Sequence, residues 1–295
     1  MTSYSLWINK FLEDRNGVLG VVILLMLLGA AIFAPYLAPY PQDFTVTLHP
    51  REKLQPPSSK HLFGTDHLGR DIFSRVIFGA RVTLMIAGVA ISGALLIGTV
   101  VGLTAGYYEG WVGSLLMRIT DIFVSLPRIV MALAVVAALG PGIRNAILAL
   151  TITYWPFWAR VAYANVVTLK KSPFVEATKA LGASSNRIVF LHMLPNAAPG
   201  LIVRTTIGMG GTIITAAVLS FVGLGSQPPT ADWGLMLAFS REYLPAAWWY
   251  SLFPGLAIFL VVMAFNMFGD TLRDVVDPRF RISGKGKKRI QKRKI

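Results

Sequence analysis

Long runs of apolar residues, separated by shorter polar stretches, dominate this chain. Six of the runs approach or exceed the roughly 20 residues that an α-helix needs to cross the hydrocarbon core of a bilayer. The predicted spans are, approximately, residues 18–36, 82–106, 115–139, 143–162, 200–222 and 251–269. The pattern therefore predicts an all-α polytopic membrane protein with six transmembrane helices.

The first run also has features of a secretory signal peptide, because a charged segment, residues 1–17, precedes it. The run is longer than a usual signal core, however, and no clear cleavage site of the small-x-small type leads into a soluble protein. We therefore predict that residues 18–36 remain in the protein as its first transmembrane helix.

A polar, proline-rich connection, residues 37–81, follows the first span. The prolines favour an extended conformation outside the membrane. The last part of the connection, Gly69 to Arg81, alternates charged and apolar side chains at helical spacing. This spacing predicts an amphipathic helix that lies on the membrane interface before the second span begins.

The second span carries small residues at every fourth position. They are Ala90, Ala94, Gly98, Gly102 and Gly106. Because apolar helices gain no hydrophobic energy by associating in lipid, small side chains at this spacing favour close backbone approach and van der Waals contact. We interpret this ridge as a helix-packing face, for another helix of the chain or for a partner subunit.

A long polar insert, residues 165–198, separates the fourth and fifth spans. Ser172–Pro173 is typical of a helix start, and Gly182 is typical of a helix end. A serine at 184–185 is a candidate cap for a second short helix, which we expect Pro195 to stop.

Charge predicts the orientation of the chain. Only 14% of the residues are charged and the mean hydropathy is +0.59, yet the net charge is +14. Lys and Arg are concentrated in the tail, residues 273–295, before the first span and in the insert, which places these segments in the cytoplasm. The connection 37–81 is also basic, but it is long and contains acids, so we predict that it is extracytoplasmic. Residues 82–272 then form a five-helix core that includes the insert.

The charge does not indicate nucleic-acid binding, because no aromatic platform or recognition helix accompanies it.

Motifs for catalysis are also missing: the chain has no cysteine, no GxxxxGK[ST] loop and no HExxH, and its serines lie in no nucleophile motif. His61, His67, Asp66 and Asp71 are close in sequence, but their spacing favours loop packing over a metal site. Polar groups within the spans are too scattered for a proton relay. We predict that the chain is not an enzyme and binds no metal.

The insert resembles the EAA signature of permease subunits in binding-protein-dependent ABC importers. That signature is Glu-Ala-Ala, three residues, Gly, nine residues, Ile, any residue, Leu-Pro, and the chain has Glu176-Ala177, Gly182 and Leu194-Pro195 at the matching positions. Thr178 replaces the second alanine and His192 replaces the isoleucine. Neither change removes the helix, the glycine turn or the proline.

Other stretches are similar to the C-type permease of dipeptide, oligopeptide and nickel uptake systems. They are HLFGTDHLGRDIFSRVIFGAR before the second span, LGPG at 139–142, EATKALGAS in the insert and LSFVGLGSQPPTADWG after the fifth span. The resemblance covers nearly the whole chain and implies the permease fold of a type I ABC importer.

By this resemblance, the first helix of the insert is a coupling helix that lies in a groove on a cytoplasmic ATPase. The predicted docking residues are Phe174, Val175, Glu176, Ala177, Thr178, Ala180, Leu181, Gly182, His192, Leu194 and Pro195. Phe174 and Leu181 are the expected apolar anchors. Glu176 either pairs with a cation of the ATPase or caps its own helix.

The resemblance also implies the partners, namely a second related permease, two cytoplasmic ATP-binding subunits, an extracytoplasmic solute-binding protein and membrane lipid. ATP and Mg are then bound by the ATPase subunits, this chain holds no cofactor, and the complex resides in the inner or plasma membrane of a prokaryote. The expected solute is a peptide, with nickel or a metal chelate as the next candidate. Two other classes stay open, a stand-alone secondary transporter or channel and a membrane enzyme.

Overall fold

The computed structural model describes residues 11–45 and 47–276. Within these residues the chain is helical, and its only β-pairing is an isolated bridge between Thr65 and Asp71. The α-helices are α1 (Arg15–Ile32), α2 (Ala34–Leu37), α3 (Ile72–Tyr108), α4 (Gly110–Ser125), α5 (Arg128–Leu139), α6 (Ile143–Lys170), α7 (Pro173–Ala180), α8 (Ser185–Ile188), α9 (Leu194–Phe221), α10 (Trp233–Ser240) and α11 (Trp248–Val276). Most of the predicted basic tail, and the first ten residues, lie outside the described part.

The predicted polytopic all-α membrane fold is confirmed. Among the described residues, four helical stretches are able to cross a membrane by their length and apolar composition: α1, α3, α11 and the continuous stretch Ser185–Phe221 that contains α9. The pair α4 and α5 adds a fifth if it is counted as one span, with a bend of 95° where we predicted a kink at Pro127. The remaining predicted span is α6, which is 28 residues long.

The lower hydropathy of α6 has a structural reason. This helix lies inside the bundle against α3, α5 and α9, and it buries Leu150, Trp158 and Ala162 completely. Residues of low hydropathy, such as Thr153, Tyr154 and Trp158, lie on this buried face, whereas Arg144 and Arg160 are exposed.

The predicted interfacial helix and the second span are a single helix, α3, of 37 residues. At about 1.5 Å per residue it is roughly 55 Å long, which exceeds the thickness of a bilayer core. The charged side chain in its first turns contacts other residues of the chain and not lipid headgroups. Arg75 is buried, donates to the backbone oxygen of Asp43 at 2.9 Å and lies 3.6 Å from the Asp66 carboxylate.

The connection between α1 and α3 folds into a compact cap, which we define as residues 41–71. Buried carboxylates organise it: Asp66 accepts from the backbone and the guanidinium of Arg70, and Asp43 accepts from the backbone N–H of Asp71 at 2.8 Å. His61 contacts Asp71 at 2.9 Å. Among the described residues, no group of three or more His, Cys, Asp or Glu side chains is arranged so that it could hold a metal ion.

The connecting segments lie at two ends of the bundle. At one end the cap contacts the start of α11, since His67 Nδ1 lies 3.0 Å from the Tyr250 hydroxyl and Trp249 donates to the backbone oxygen of Thr65. At the other end, which we call the insert end, Thr271 near the end of α11 donates to Asp14 before α1. The two ends of the described chain therefore lie on the same side.

The small-residue ridge of α3 packs against α6 of the same chain. A Cβ atom on Gly98 would lie 2.3 Å from the backbone oxygen of Trp155, and one on Gly102 would lie 2.3 Å from that of Ala159. Gly106 meets Val166 in the same way, and Ala90 and Ala94 are buried. This contact occupies the glycine part of the ridge, which is therefore not a surface for a second permease.

We expect Gly102→Val to destabilise the bundle by about 1–3 kcal/mol, because overpacking at a backbone contact forces two helices apart. The matched control is Gly88→Val in the same helix, since a Cβ at Gly88 meets nothing within 4 Å. Thermal unfolding of the purified chain in detergent measures both variants. Equal unfolding temperatures for the two would contradict the proposed role of the ridge.

We also expect the cap to lose stability as the pH falls below about 6.5, the usual pKa of histidine. Burial lowers the pKa of His67, with Arg70 and Arg75 acting in the same direction against Asp66 and Glu242. Protonation is therefore easier in the unfolded chain, and the stabilising contribution, complete above pH 6.5, is lost toward acid. Unfolding temperatures at pH 7.5 and 5.0 should differ less for His67→Gln than for the unsubstituted chain. The same pH response in both would rule out His67 as the source.

Candidate functional site

The insert forms a short helix closed by a glycine turn, as its sequence predicts. α7 starts at Pro173 directly after Ser172, whose backbone is extended at φ −80° and ψ 141°. Gly182 has φ +78°, the left-handed region that favours glycine. Its N–H donates to the oxygen of Lys179 at 2.9 Å, and the next N–H, of Ala183, donates to Thr178 at 3.3 Å. These two bonds are those of a Schellman motif, which satisfies carbonyls at the end of α7.

The second half of the insert differs from the prediction. Pro195 does not stop a helix, because α8, a π-helical turn at Val189–Met193 and α9 form one continuous helical stretch. A proline inside an α-helix clashes with the carbonyl four residues earlier. Here the helix widens just before the proline, and the N–H of Leu194 bonds to Val189, five residues back. The π turn therefore lets the chain pass through Pro195 without a break.

α7 is anchored to the bundle by one side chain of the predicted docking set. Val175 is only 2% exposed and belongs to the same apolar core as Ile188 and Met193. This burial corrects the prediction that Val175 contacts a partner. Lys179 adds a contact on the neighbouring helix, since its ammonium group lies 5.5 Å from the centroid of the Tyr107 ring in α3.

The outer face of the insert is apolar and open. Leu181 is 87% exposed and Phe174 is 58% exposed, and the edge of the His192 ring packs on Phe174 at 5.1 Å between centroids. Other predicted docking residues are also exposed: Glu176, Ala177, Ala180, Gly182 and Pro195. Leu194 is half-buried, and Thr178 uses its hydroxyl to donate to the oxygen of Phe174 at 2.7 Å.

The Glu176 carboxylate makes no hydrogen bond or ion pair with any residue that the structure describes, and no side chain caps the start of α7. The carboxylate lies in the first turn of the helix, where the helix dipole favours a negative charge. Of the two roles left open by the sequence, a direct hydrogen-bonded cap is therefore not formed in this structure. The carboxylate is available to a group outside the chain.

Sequence reasoning missed two further exposed residues at the insert. Phe190 and Leu191, in the π-helical turn, are 58% and 60% exposed beside His192. They look like ordinary membrane residues in the sequence. The only signal was their position inside the signature, between the glycine and the proline.

Comparison with known proteins gives the same picture over nearly the whole chain. A family model described as a binding-protein-dependent transport system inner membrane component matches residues 98–282, and one described as the N-terminal TM domain of oligopeptide transport permease C matches residues 5–57. The dipeptide transport system permease protein of Alkalihalophilus pseudofirmus is 43% identical over 95% of this chain and 92% of its own length. The glutathione transport system permease protein of Pectobacterium atrosepticum is 41% identical over 92% of this chain and 90% of its own.

A solved structure supports the fold. A chain of the MetNI methionine ABC transporter, in an inward-facing conformation, superposes with a TM-score of 0.55 at 24% identity over 69% of this chain and 97% of that chain. The predicted permease-like fold is thereby confirmed, as is the family that the signature in the insert predicted. This chain belongs to the family of binding-protein-dependent transport system inner membrane components, the permease subunits of ABC importers.

Proposed function

We propose that this permease forms half of a translocation path for small peptides and receives its energy from ATPase subunits that dock on α7. The observation that carries the proposal is the exposed apolar face of the insert, with Phe174 and Leu181 at its two ends. An exposed helix with apolar anchors is suited to a groove on a soluble partner. The names of the relatives, which transport dipeptides and glutathione, support a peptide solute.

The insert lies where a push on it would move the bundle. α6 leads into α7, α9 leads away from the insert, and Val175 ties α7 to the core between them. A displacement of α7 by a closing ATPase pair therefore tilts α6 and α9 together. In this mechanism ATP and Mg stay on the ATPase subunits, and this chain alternates between inward and outward openings.

The orientation follows from charge. Lys170, Lys171, Lys179 and Arg187 lie within the insert, and positive segments favour the cytoplasmic side. Because both described termini lie at the insert end, we place them in the cytoplasm and the cap on the outside. The complete importer would contain a second related permease, two ATPase subunits and a solute-binding protein that meets the cap side.

Reconstitution tests the proposal against a stand-alone carrier. Proteoliposomes that contain both permeases and both ATPases, with the binding protein and ATP, should take up a labelled dipeptide. Vesicles with the permeases alone should not. ATP-independent uptake by the permeases alone would support the secondary-transporter alternative, and the absence of dipeptide uptake by the complete system would exclude the peptide assignment.

Substitutions at Gly182 should weaken docking in a defined order. Ala at φ +78° costs about 1–2 kcal/mol, Asn costs less, and Pro is incompatible with this φ and also loses the N–H that bonds to Lys179. We expect amide hydrogen exchange in α7 to become about tenfold faster for Gly182→Ala and uptake to be abolished for Gly182→Pro. Gly29→Ala is the control, since Gly29 lies within α1 and its Cβ would meet nothing within 4 Å. Wild-type uptake by Gly182→Pro would contradict the coupling role.

Removal of the exposed anchor and the free carboxylate together should separate the ATPase from the permease. Phe174→Ala with Glu176→Ala is expected to reduce ATPase co-purification and uptake at least tenfold and to leave membrane insertion intact. Trp111→Ala is the matched control, because Trp111 is 77% exposed next to Glu109, at the insert end, but lies outside the insert. Full co-purification of the double variant, or equal loss in the control, would refute the assignment of the docking face.

A further inference from the structure

Two arginines face one cavity in the middle of the bundle. The cavity has a volume of about 520 Å³ and lies at the break between α4 and α5, against α6 and α9. Pro127, Arg128, Tyr154, Phe157, Arg204 and Gly211 are among its lining residues. Tyr154 and Phe157 lie near the midpoint of α6, and Arg204 lies near that of α9. The site is therefore far from both ends of the bundle.

Both guanidinium groups stack on the same aromatic side chain. The Arg128 guanidinium carbon lies 5.2 Å from the centroid of the Phe157 ring, and that of Arg204 lies 4.9 Å from it. Arg204 also contacts the Trp158 ring at 5.9 Å. These aromatic contacts position the two cations and do not neutralise them.

Neither guanidinium group has an anionic partner among the residues that the structure describes, and neither donates a hydrogen bond there. Arg160, an arginine of α6, behaves differently, because it pairs with Asp121 at 2.7 Å. A charged side chain at membrane depth is costly unless it is paired or faces water. Two like charges against one ring increase that cost, since each disfavours the other. The arrangement is suited to an anion that comes from outside the chain.

The remaining lining groups favour an anion over a cation. Arg128 is the first residue of α5, and no side chain caps this helix, so the N–H groups of its first turn add partial positive charge. The Tyr154 hydroxyl is already engaged by Thr215 at 2.7 Å and by the Gly211 oxygen at 2.9 Å. Guanidinium groups bind carboxylates through paired hydrogen bonds, which fixes both the position and the direction of the ligand.

We propose that Arg128 and Arg204 form a carboxylate-binding subsite in the translocation path, which receives the anionic end of the solute during its passage. The proposal rests on the proposed function as a peptide importer, because every unmodified linear peptide carries a terminal carboxylate. The cavity is open to one side, and Arg128 is exposed. A bound solute would thus neutralise two cations that the bundle itself leaves unpaired.

The absence of cysteine from this chain provides a direct test. Arg128→Cys and Arg204→Cys variants are reconstituted with the partner subunits and assayed for uptake of labelled dialanine, before and after reaction with an ammonium-bearing or a sulfonate-bearing methanethiosulfonate. We expect at least tenfold lower uptake for each variant. The ammonium reagent should recover at least a third of the wild-type rate, and the sulfonate reagent should recover none. Both reagents act on the same folded protein, so a folding defect cannot produce the difference.

Arg144→Cys is the matched control, because Arg144 is an exposed arginine at the start of α6, away from the cavity. It should transport normally with either reagent. The unsubstituted, cysteine-free chain should also transport normally, and a change in its uptake would report reaction of thiols on the partner subunits. Equal responses to the two reagents, or wild-type uptake by both unmodified variants, would overturn the subsite. Loss of assembly with the second permease would overturn it in favour of an ion pair between subunits. Failure of the unsubstituted complex to take up dialanine would refute the peptide function instead.

Discussion

The close contact between α3 and α6 is the constraint on which the rest of the bundle depends. Lipid surrounds these helices, so burial of apolar side chains between them gains little, and the attraction has to come from short-range contact. Gly98 and Gly102 let the backbone of α6 approach until no Cβ would fit. Because α6 also packs on α5 and α9, its position on α3 places the other helices that line the central cavity.

The same contact gives the insert a firm base. α6 leads through Lys171 and Ser172 into α7, and Lys170, at its end, donates to the Tyr107 oxygen at 2.8 Å and pairs with Glu109. α7 is thus held against the end of α3 as well as by Val175 in the core. Its exposed residues then lie on a short helix with fixed ends, which is able to transmit a displacement that a flexible loop would absorb.

Local signals in the sequence predicted those parts of the fold that depend on local physics. Gly182 was recognisable as a helix end because glycine readily adopts the positive φ that such a turn requires. The ridge was recognisable from its spacing of four residues. The predictions failed where a distant residue decides the outcome. Arg75 looks interfacial until Asp43 and Asp66 of the cap are known to surround it.

Two errors in the insert have the same origin. Val175 has no property that separates it from Phe174 in the sequence, and only the position of the core shows that one is buried and the other exposed. Pro195 is a helix stop by local rules, but packing on both sides keeps the helix continuous, and a π turn removes the clash. Tertiary contacts thus override a local preference of a few kcal/mol.

Charged side chains that support the fold have partners within the chain, whereas the two that we assign to solute binding have no anionic partner among the described residues. Buried charges in the cap are paired or hydrogen-bonded within the cap, as for Asp66 with Arg70, and Arg160 within the bundle has Asp121. Within the described part of the chain, the guanidinium groups of Arg128 and Arg204 contact aromatic rings and have no anionic partner. An internal carboxylate beside them would stabilise the resting bundle, but it would compete with any anionic ligand for the same guanidinium groups. Leaving the pair without an internal partner sacrifices some stability and keeps the site available to a solute that must bind and then leave.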